Sequence, residues 1–299
     1  MPQNPPEQVP SEWYDREYYL RNMEGGEVFL ETGGRTITPR HAKLLELTEI
    51  RPGDRVLDVG CGRGELVLQA GLRGATAKGI DYSRDAIQLA REALETYDEE
   101  FRARVSFTVG DAVQLTLTGE RFDKVFFVDV WEHLHPHELE GTLNTLRELL
   151  DDGGELIVHT APNKLFYKVS YPVIRLLYPL IRRVFPAGAA LAATKPNWKG
   201  DRLPKDPEEG QGYNERVHVN EQTPFTMRKS LHEAGFTSRI EMVPFLRQVD
   251  SPSLRALYRV LAMKPWSYAT SAEIVAVCRK SSRPRSIRPA RRTRPGGRR

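Results

Sequence analysis

Short apolar runs alternate with amphipathic segments through most of the chain. The apolar runs predict seven strands, at 55–59, 76–80, 105–109, 124–128, 155–160, 238–243 and 272–278. Helical periodicity predicts intervening helices at 65–71, 83–96, 138–150 and 223–234. Nearly continuous apolar strands that alternate with helices indicate a parallel sheet covered on both faces. We therefore expect an α/β fold with a Rossmann-like, mostly parallel seven-stranded sheet and helices on both faces.

The segments around this alternation differ in character. We expect residues 1–35 to form a disordered, Pro-rich start followed by a helical cap, and residues 36–279 to form the α/β domain. Residues 162–222 and 247–270 interrupt the alternation, and we interpret them as a lid insertion and a second insertion. Residues 280–299 are basic and lack apolar residues for a core, which predicts a disordered tail.

Two signals predict helices before the first strand. Four aromatic residues between positions 13 and 19 indicate a short helix at 11–19 that packs on a larger body. Thr38 followed by Pro39 is typical of a helix N-cap and first position, so a second helix should run from there to about Glu49.

Charge is distributed unevenly along the 299 residues. The net charge is +4, but the tail at 280–299 holds nine of the 44 Lys and Arg residues and no acid. The rest of the chain therefore has 35 basic and 40 acidic residues, which disfavours a basic nucleic-acid-binding domain. The tail itself can attract anionic membranes or nucleic acid nonspecifically. A nucleic-acid-binding protein that acts through this tail is thus the alternative from another functional class.

Composition also bears on the compartment. Two cysteines, Cys61 and Cys278, exclude a disulfide framework and favour a reducing compartment. The first residues lack the charged start and apolar run of a signal peptide, and three arginines interrupt the apolar segment 169–193. We expect a cytoplasmic protein. Residues 166–193 predict either peripheral membrane contact or a small satellite core.

The strongest motif is VLDVGCGRGE at residues 56–65, where the first strand ends and a helix begins. Glycines there allow close backbone approach to a ligand, and a helix N-terminus favours anionic groups. Glu65 occupies the position of the last glycine of a G-x-G-x-x-G dinucleotide motif, which disfavours a nicotinamide dehydrogenase.

Acidic residues mark the ends of the first three strands. Asp58 lies in the glycine loop, Asp81 closes the second strand, and Asp111 follows the third. The carboxylate of Asp81 can accept hydrogen bonds from both hydroxyls of a ribose. Asp111 can accept one from an exocyclic amine, with the amide of Ala112 facing a ring nitrogen. Three acids at successive strand ends favour a nucleoside ligand over three unrelated turns.

These motifs, together with residues 122–134 and 149–163, resemble the class I S-adenosylmethionine-dependent methyltransferases over residues 36–243. The resemblance implies that the glycine loop holds the methionyl part of S-adenosylmethionine. It implies cofactor contacts from Arg40, Asp58, Gly60, Cys61, Gly62, Gly64, Asp81, Tyr82, Asp111, Ala112 and Val128. For Arg40, a solvated helix residue is an equally open interpretation.

A closer resemblance is to the ubiquinone-biosynthesis O-methyltransferases. It rests on the DVGCG loop, a Glu-His pair after the fourth strand, and an apolar-basic insertion after the fifth. The resemblance implies O-methylation of a small, lipophilic, hydroxylated acceptor. N- or C-methylation of a sugar or secondary metabolite is the alternative within enzymes.

Transfer of a methyl group to a hydroxyl requires a base or a metal to take up the proton. His133 lies just past the fourth strand, where the acceptor should bind, and His218 is a second candidate; His159 is expected to face inward from a strand. In the ubiquinone O-methyltransferases a Glu-x-x-Glu-His group is associated with a divalent cation, which maps onto Asp129, Glu132 and His133. The other interpretation has Glu132 capping a helix, Asp129 facing the cofactor and His133 acting alone.

Overall fold

A computed structural model describes residues 8–115, 119–184, 217–244 and 263–282. One sheet contains the strands β1 (Arg55–Val59), β2 (Thr76–Asp81), β3 (Val105–Val109), β4 (Phe122–Val128), β5 (Leu150–Thr160), β6 (Phe236–Pro244) and β7 (Ser271–Lys280). Their order is β3-β2-β1-β4-β5-β7-β6, and only β7 runs antiparallel to its neighbours. The predicted mostly parallel, seven-stranded sheet is confirmed.

Nine α-helices lie within the described ranges. They are α1 (Gly26–Thr32), α2 (Pro39–Leu47), α3 (Glu65–Leu72), α4 (Arg84–Leu94), α5 (Glu99–Arg104), α6 (Pro136–Leu149), α7 (Tyr171–Val184), α8 (Pro224–Glu233) and α9 (Ser267–Thr270). The predicted starts of α2 and α4 hold because Thr38 and Ser83 cap them. Each side chain accepts a hydrogen bond from a backbone N–H of the first turn.

Two hydrophobic layers cover the sheet, as the alternation along β4 shows. Val125 and Phe127 belong to the buried layer that includes α6 and α8. Phe126 and Val128 belong to the opposite layer, which includes α2, α3 and α4. Because successive strand residues point to opposite faces, one apolar run supplies both cores.

Two local predictions were wrong. Residues 11–19 do not form one helix: a 3-10 turn at Ser11–Trp13 is followed by a π-helical turn at Tyr18–Asn22. The aromatic side chains still pack on one another across the break, with the rings of Tyr14 and Tyr18 5.1 Å apart. Strand β5 begins at Leu150 instead of 155, since Leu150 pairs with Phe122 before a register shift. The turn-forming residues Asp152, Gly153 and Gly154 therefore lie inside a strand.

Residues 166–178, in the first part of the insertion at 162–222, form a small hydrophobic core of their own. Phe166, Tyr171 and Tyr178 are buried together against the end of the sheet. The opposite side of α7 exposes its apolar side chains, those of Val173, Leu176, Leu177 and Leu180. Membrane contact through 166–193 stays a prediction. Residues 1–7, 185–216, 245–262 and 283–299 lie outside the described residues, and with them most of both insertions and the basic tail.

Within the described ranges, none of the helices has the length and apolar character needed to cross a lipid bilayer.

Candidate active site

A cleft opens at the carboxyl ends of the central strands, as expected for an open α/β sheet. Eleven of the predicted site residues line it: Asp58, Gly60, Cys61, Gly62, Asp81, Tyr82, Asp111, Ala112, Val128, Asp129 and His133. Arg40, Gly64, Glu132 and His218 are not among its lining residues. The topology thus brings the three strand-end acids to one cavity, as the sequence predicted.

The glycine loop is held tightly against β2 and β4. The backbone N–H groups of Gly60 and Cys61 both donate to the carbonyl of Ile80, at 2.7 and 3.0 Å. Gly60 has φ +76°, and a Cβ there would lie 2.2 Å from Cγ2 of Val130. Gly64 was expected to contact the cofactor, but it packs against Phe107, whose Cε1 would be 2.5 Å from a Cβ. Gly64 therefore leaves room for Phe107, and its predicted contact with the cofactor stays a prediction.

Two buried carboxylates, those of Asp81 and Asp58, face the cleft and differ in their hydrogen-bond partners. Asp81 accepts hydrogen bonds from the N–H groups of Gly62 (2.9 Å) and Ser83 (2.8 Å), and burial raises its pKa to about 6. Asp58 is 2% exposed, and its Oδ1 has no hydrogen-bond partner. Burial, with the nearby charge of Asp81, raises the pKa of Asp58 well above its ordinary value.

Residues 8–24, here called the N-terminal strap, close one side of the cleft. Gln8 donates from Nε2 to Oδ2 of Asp111 at 2.9 Å, and the hydroxyl of Tyr14 lies 3.0 Å from Nδ1 of His133. Residues 8–10 were expected within a disordered start, yet Val9 is 3% exposed and lines the cleft. No motif in the sequence indicates these contacts. The aromatic cluster at 13–19 indicates only that this segment packs on a larger body.

The strap is fastened to the glycine loop by a buried arginine. Arg63 is fully buried and donates to the carbonyls of Tyr19 (2.6 Å) and Glu24 (2.9 Å). It also pairs with Glu65 at 2.6 Å. A second fastening is the hydroxyl of Ser83, which donates to the carbonyl of Tyr14 at 2.6 Å. Loop, strap and α4 therefore form one connected wall.

Val217 and His218, in the later part of the insertion at 162–222, lie next to His133. Nδ1 of His133 lies 3.2 Å from the carbonyl oxygen of Val217, and the rings of His133 and His218 are 5.2 Å apart. Ligand atoms of Glu132, His133 and His218 all lie within 4.8 Å of one another. Burial, with His218, lowers the pKa of His133 to about 3, whereas burial and Asp129 raise that of Glu132 to about 7.

Asp129 does not join this cluster, which corrects the metal-ligand set Asp129, Glu132 and His133. Its Oδ1 pairs with Nδ1 of His159 at 2.5 Å and its Oδ2 with Nη1 of Arg40 at 3.2 Å. Both carboxylate oxygens of Asp129 are therefore engaged, and the third side chain close to Glu132 and His133 is His218. Arg40 is only 19% exposed, so it is neither a solvated residue nor part of the cleft lining.

These contacts continue into a buried chain of alternating charges. His159 is fully buried, as expected for an inward strand residue, and its Nε2 lies 3.3 Å from Oε2 of Glu273. Burial opposes its charge, but Asp129 and Glu273 outweigh this effect and raise its pKa to about 10. Burial likewise opposes ionisation of Asp129, yet Arg40 and His159 hold the pKa of that carboxyl well below its ordinary value. Asp129 has φ +55°, a left-handed conformation that its two partners hold in place.

Comparisons with known proteins agree with this architecture. The fold is similar to that of the CcbJ methyltransferase of Streptomyces caelestis, with a TM-score of 0.53 at 16% identity over 90% of this chain and 100% of that one. The fold is therefore that of the class I methyltransferases. A family model for a methyltransferase domain matches residues 50–205, more than half of the chain. The chain belongs to this methyltransferase domain family, which confirms the resemblance inferred from its motifs.

Curated relatives match over part of their length. Methyltransferase GfsG of Streptomyces halstedii is 31% identical over 117 residues, 39% of this chain and 41% of that protein. Ubiquinone biosynthesis O-methyltransferase of Coxiella burnetii is 28% identical over 142 residues, 48% of this chain and 58% of that protein. The chain thus spans about half the length of the curated relatives it matches.

Proposed function

We propose that this chain is an S-adenosylmethionine-dependent methyltransferase that methylates a hydroxyl group of a small molecule. The proposal of this cofactor is carried by one observation: Oδ1 of Asp58, a buried atom of a residue that lines the cleft, has no hydrogen-bond partner. Such an atom costs about 1–3 kcal/mol unless a ligand supplies a donor. The ammonium group of the cofactor's methionyl end is such a donor.

The remaining contacts follow from the positions of the other acids. Asp81 would accept the ribose hydroxyls, and Asp111 with Ala112 would hold the adenine next to Gln8 of the strap. The bound cofactor supplies an activated methyl group on a sulfonium. The chain has to align the acceptor with that group and exclude water. The aromatic residues of the strap provide this exclusion on the solvent side.

His133 is the base in this proposal. Nδ1 of His133 lies 3.2 Å from the carbonyl oxygen of Val217, which can only accept a hydrogen bond, and 3.0 Å from the hydroxyl of Tyr14, which can donate or accept one. The tautomer with the proton on Nδ1 is the one that suits both neighbours, so we assign it to His133. Its Nε2 then holds the lone pair that can take the proton of the acceptor hydroxyl. The lowered pKa leaves the ring unprotonated near pH 7, so its lone pair is available, and it also makes this imidazole a weaker base than an exposed histidine.

A divalent cation is the alternative means of activating the hydroxyl. Two imidazoles and a carboxylate suit Zn²⁺ or a similar ion, and the mutual distances of at most 4.8 Å among Glu132, His133 and His218 favour this reading. Such an ion would lower the pKa of the acceptor hydroxyl.

Calorimetry with S-adenosylhomocysteine tests cofactor binding. Asp81→Asn should weaken binding by about 1–3 kcal/mol, because buried donors lose a charged acceptor. Asp98→Asn is the matched control: Asp98 caps the remote helix α5, and Asn also serves as a cap. Absence of binding to the wild-type protein would refute the proposal.

Label transfer from methyl-labelled cofactor into a small-molecule extract tests the acceptor chemistry. The product's structure shows whether oxygen, nitrogen or carbon has been methylated. Full turnover in a chelator, with a dead His133→Ala variant, supports the base. Loss of turnover in the chelator that Zn²⁺ or Mg²⁺ restores supports the cation.

A further inference from the structure

Besides Asp58, a second residue of the cleft, His41, has a buried polar atom without a hydrogen-bond partner. His41 lies in the first turn of α2, is 6% exposed, and lines the cleft. Its backbone N–H is satisfied by the Oγ1 of Thr38 at 3.3 Å, but the ring atom Nδ1 is buried without a hydrogen-bond partner. Neither the family motifs nor the glycine loop points to this residue.

His41 and Asp58 stand apart from the other unpartnered groups. Seven buried side-chain atoms lack a partner within the described residues, and only those of His41 and Asp58 belong to residues that line the cleft. His41 and Asp58 thus line one cleft, and the charges of Glu65 and Asp129 act on the pKa of both. A buried polar atom left unpaired is costly, so each indicates a ligand group that completes it.

Oδ1 of Asp58 and Nδ1 of His41 differ in whether they accept or donate a hydrogen bond. Burial favours the protonated form of Asp58 in the free protein, but an ammonium group beside it would ionise the carboxyl, which then only accepts hydrogen bonds. A neutral imidazole carries one N–H that can donate. Burial lowers the pKa of His41 to about 4, so its ring is neutral near pH 7. One acceptor and one donor together match a zwitterion, with its ammonium at Asp58 and its carboxylate at His41.

We propose that His41 binds the carboxylate of the cofactor's amino-acid end through Nδ1–H. This inference rests on the proposed cofactor and deepens it. Arg40, one residue earlier on α2, pairs with Asp129 and does not line the cleft. His41 is therefore the polar side chain through which this helix turn reaches the ligand.

If His41 binds the carboxylate, it should favour ligands that carry one. A ligand with a carboxylate satisfies Nδ1, whereas one without it leaves the atom unpaired. S-adenosylhomocysteine and 5′-methylthioadenosine share the thioether and nucleoside but differ in the amino-acid end, so their comparison isolates that end. Removing the donor should weaken binding of S-adenosylhomocysteine about 5- to 100-fold and change binding of 5′-methylthioadenosine less than about 2-fold.

Calorimetry on three substitutions tests this. His41→Leu removes both ring nitrogens, His41→Asn keeps an N–H donor near the position of Nδ1, and His41→Gln places its amide nearer Nε2. We expect Asn to retain the wild-type affinity for S-adenosylhomocysteine within about 3-fold, and Leu and Gln to lose it. His232→Leu, at an exposed position on α8, should change neither ligand.

Two outcomes would overturn the inference. Unchanged binding of S-adenosylhomocysteine to the Leu and Gln variants would show that Nδ1 makes no contact. Equal losses for both ligands would show a structural role. If the Leu variant does not fold, the contrast between Asn and Gln decides. A wild-type protein that binds neither ligand would instead refute the proposed cofactor itself.

Discussion

His159→Gln should destabilise the protein, and the loss should shrink as the pH rises. The side chain is fully buried between the carboxylates of Asp129 and Glu273. Removing one partner of a buried ion pair costs about 3–5 kcal/mol, because the remaining charge is left uncompensated. Glutamine keeps a hydrogen-bond donor, so we expect a value near the lower end at pH 7.5.

The pH dependence follows from the raised pKa of His159. Its folded-state value of about 10 lies above the ordinary value of 6.5, so the folded protein binds this proton more tightly than the unfolded chain does. The resulting stabilisation is complete below pH 6.5 and is lost as the pH rises through 10. One proton changes the unfolding free energy by up to about 1.4 kcal/mol per pH unit, and the slope flattens as the pH approaches 10. The difference in unfolding free energy between wild type and variant should therefore narrow by about 2.5 kcal/mol between pH 7.5 and 9.5.

Urea denaturation at these two pH values measures the gap between wild type and variant. The charge of His159 lowers the pKa of Glu132, which is about 7, so the variant would raise it towards the chosen window. Wild type and variant are therefore both measured in a Glu132→Gln background. His232→Gln makes the same substitution at an exposed position and should give no gap at either pH. A gap for His159→Gln that stays constant or widens towards pH 9.5 would show that this imidazole does not carry a buried charge.

Three further substitutions test the loop, the strap and the far end of the sheet. Gly60→Ala should abolish binding of S-adenosylhomocysteine in calorimetry, because its Cβ would lie 2.2 Å from Val130; retained affinity contradicts the loop geometry. Arg63→Met should speed tryptic cleavage within residues 8–24, since the strap loses two hydrogen bonds to its backbone; an unchanged rate argues against this anchor. Glu155→Gln should lower the unfolding free energy by about 1–3 kcal/mol in urea, because Glu155 accepts from Thr48, Lys124 and Arg279. It should leave ligand affinity unchanged, since none of these residues lines the cleft; weaker binding would contradict that separation.

Local patterning was sufficient to predict most elements of the sheet. The predicted bounds of β1 and β3 match the structure residue for residue, and the caps at Thr38 and Ser83 start their helices as expected. Strand alternation and capping depend on neighbours within a few residues, so the sequence alone carries them. The strand-end acids were predictable for a related reason, because parallel strands bring their carboxyl ends to one edge.

Residues far apart in the chain decided the rest of the site. Tyr14 meets His133 across 119 positions, and Val217 meets it across 84. Asp129 was misassigned because nothing near it shows that Arg40 and His159 engage both of its oxygens. His41 was not singled out because its position in a helix does not tell whether its ring faces a cleft. Such partners are set by how whole elements pack, and a pattern with a period of two or four residues carries no information about that packing.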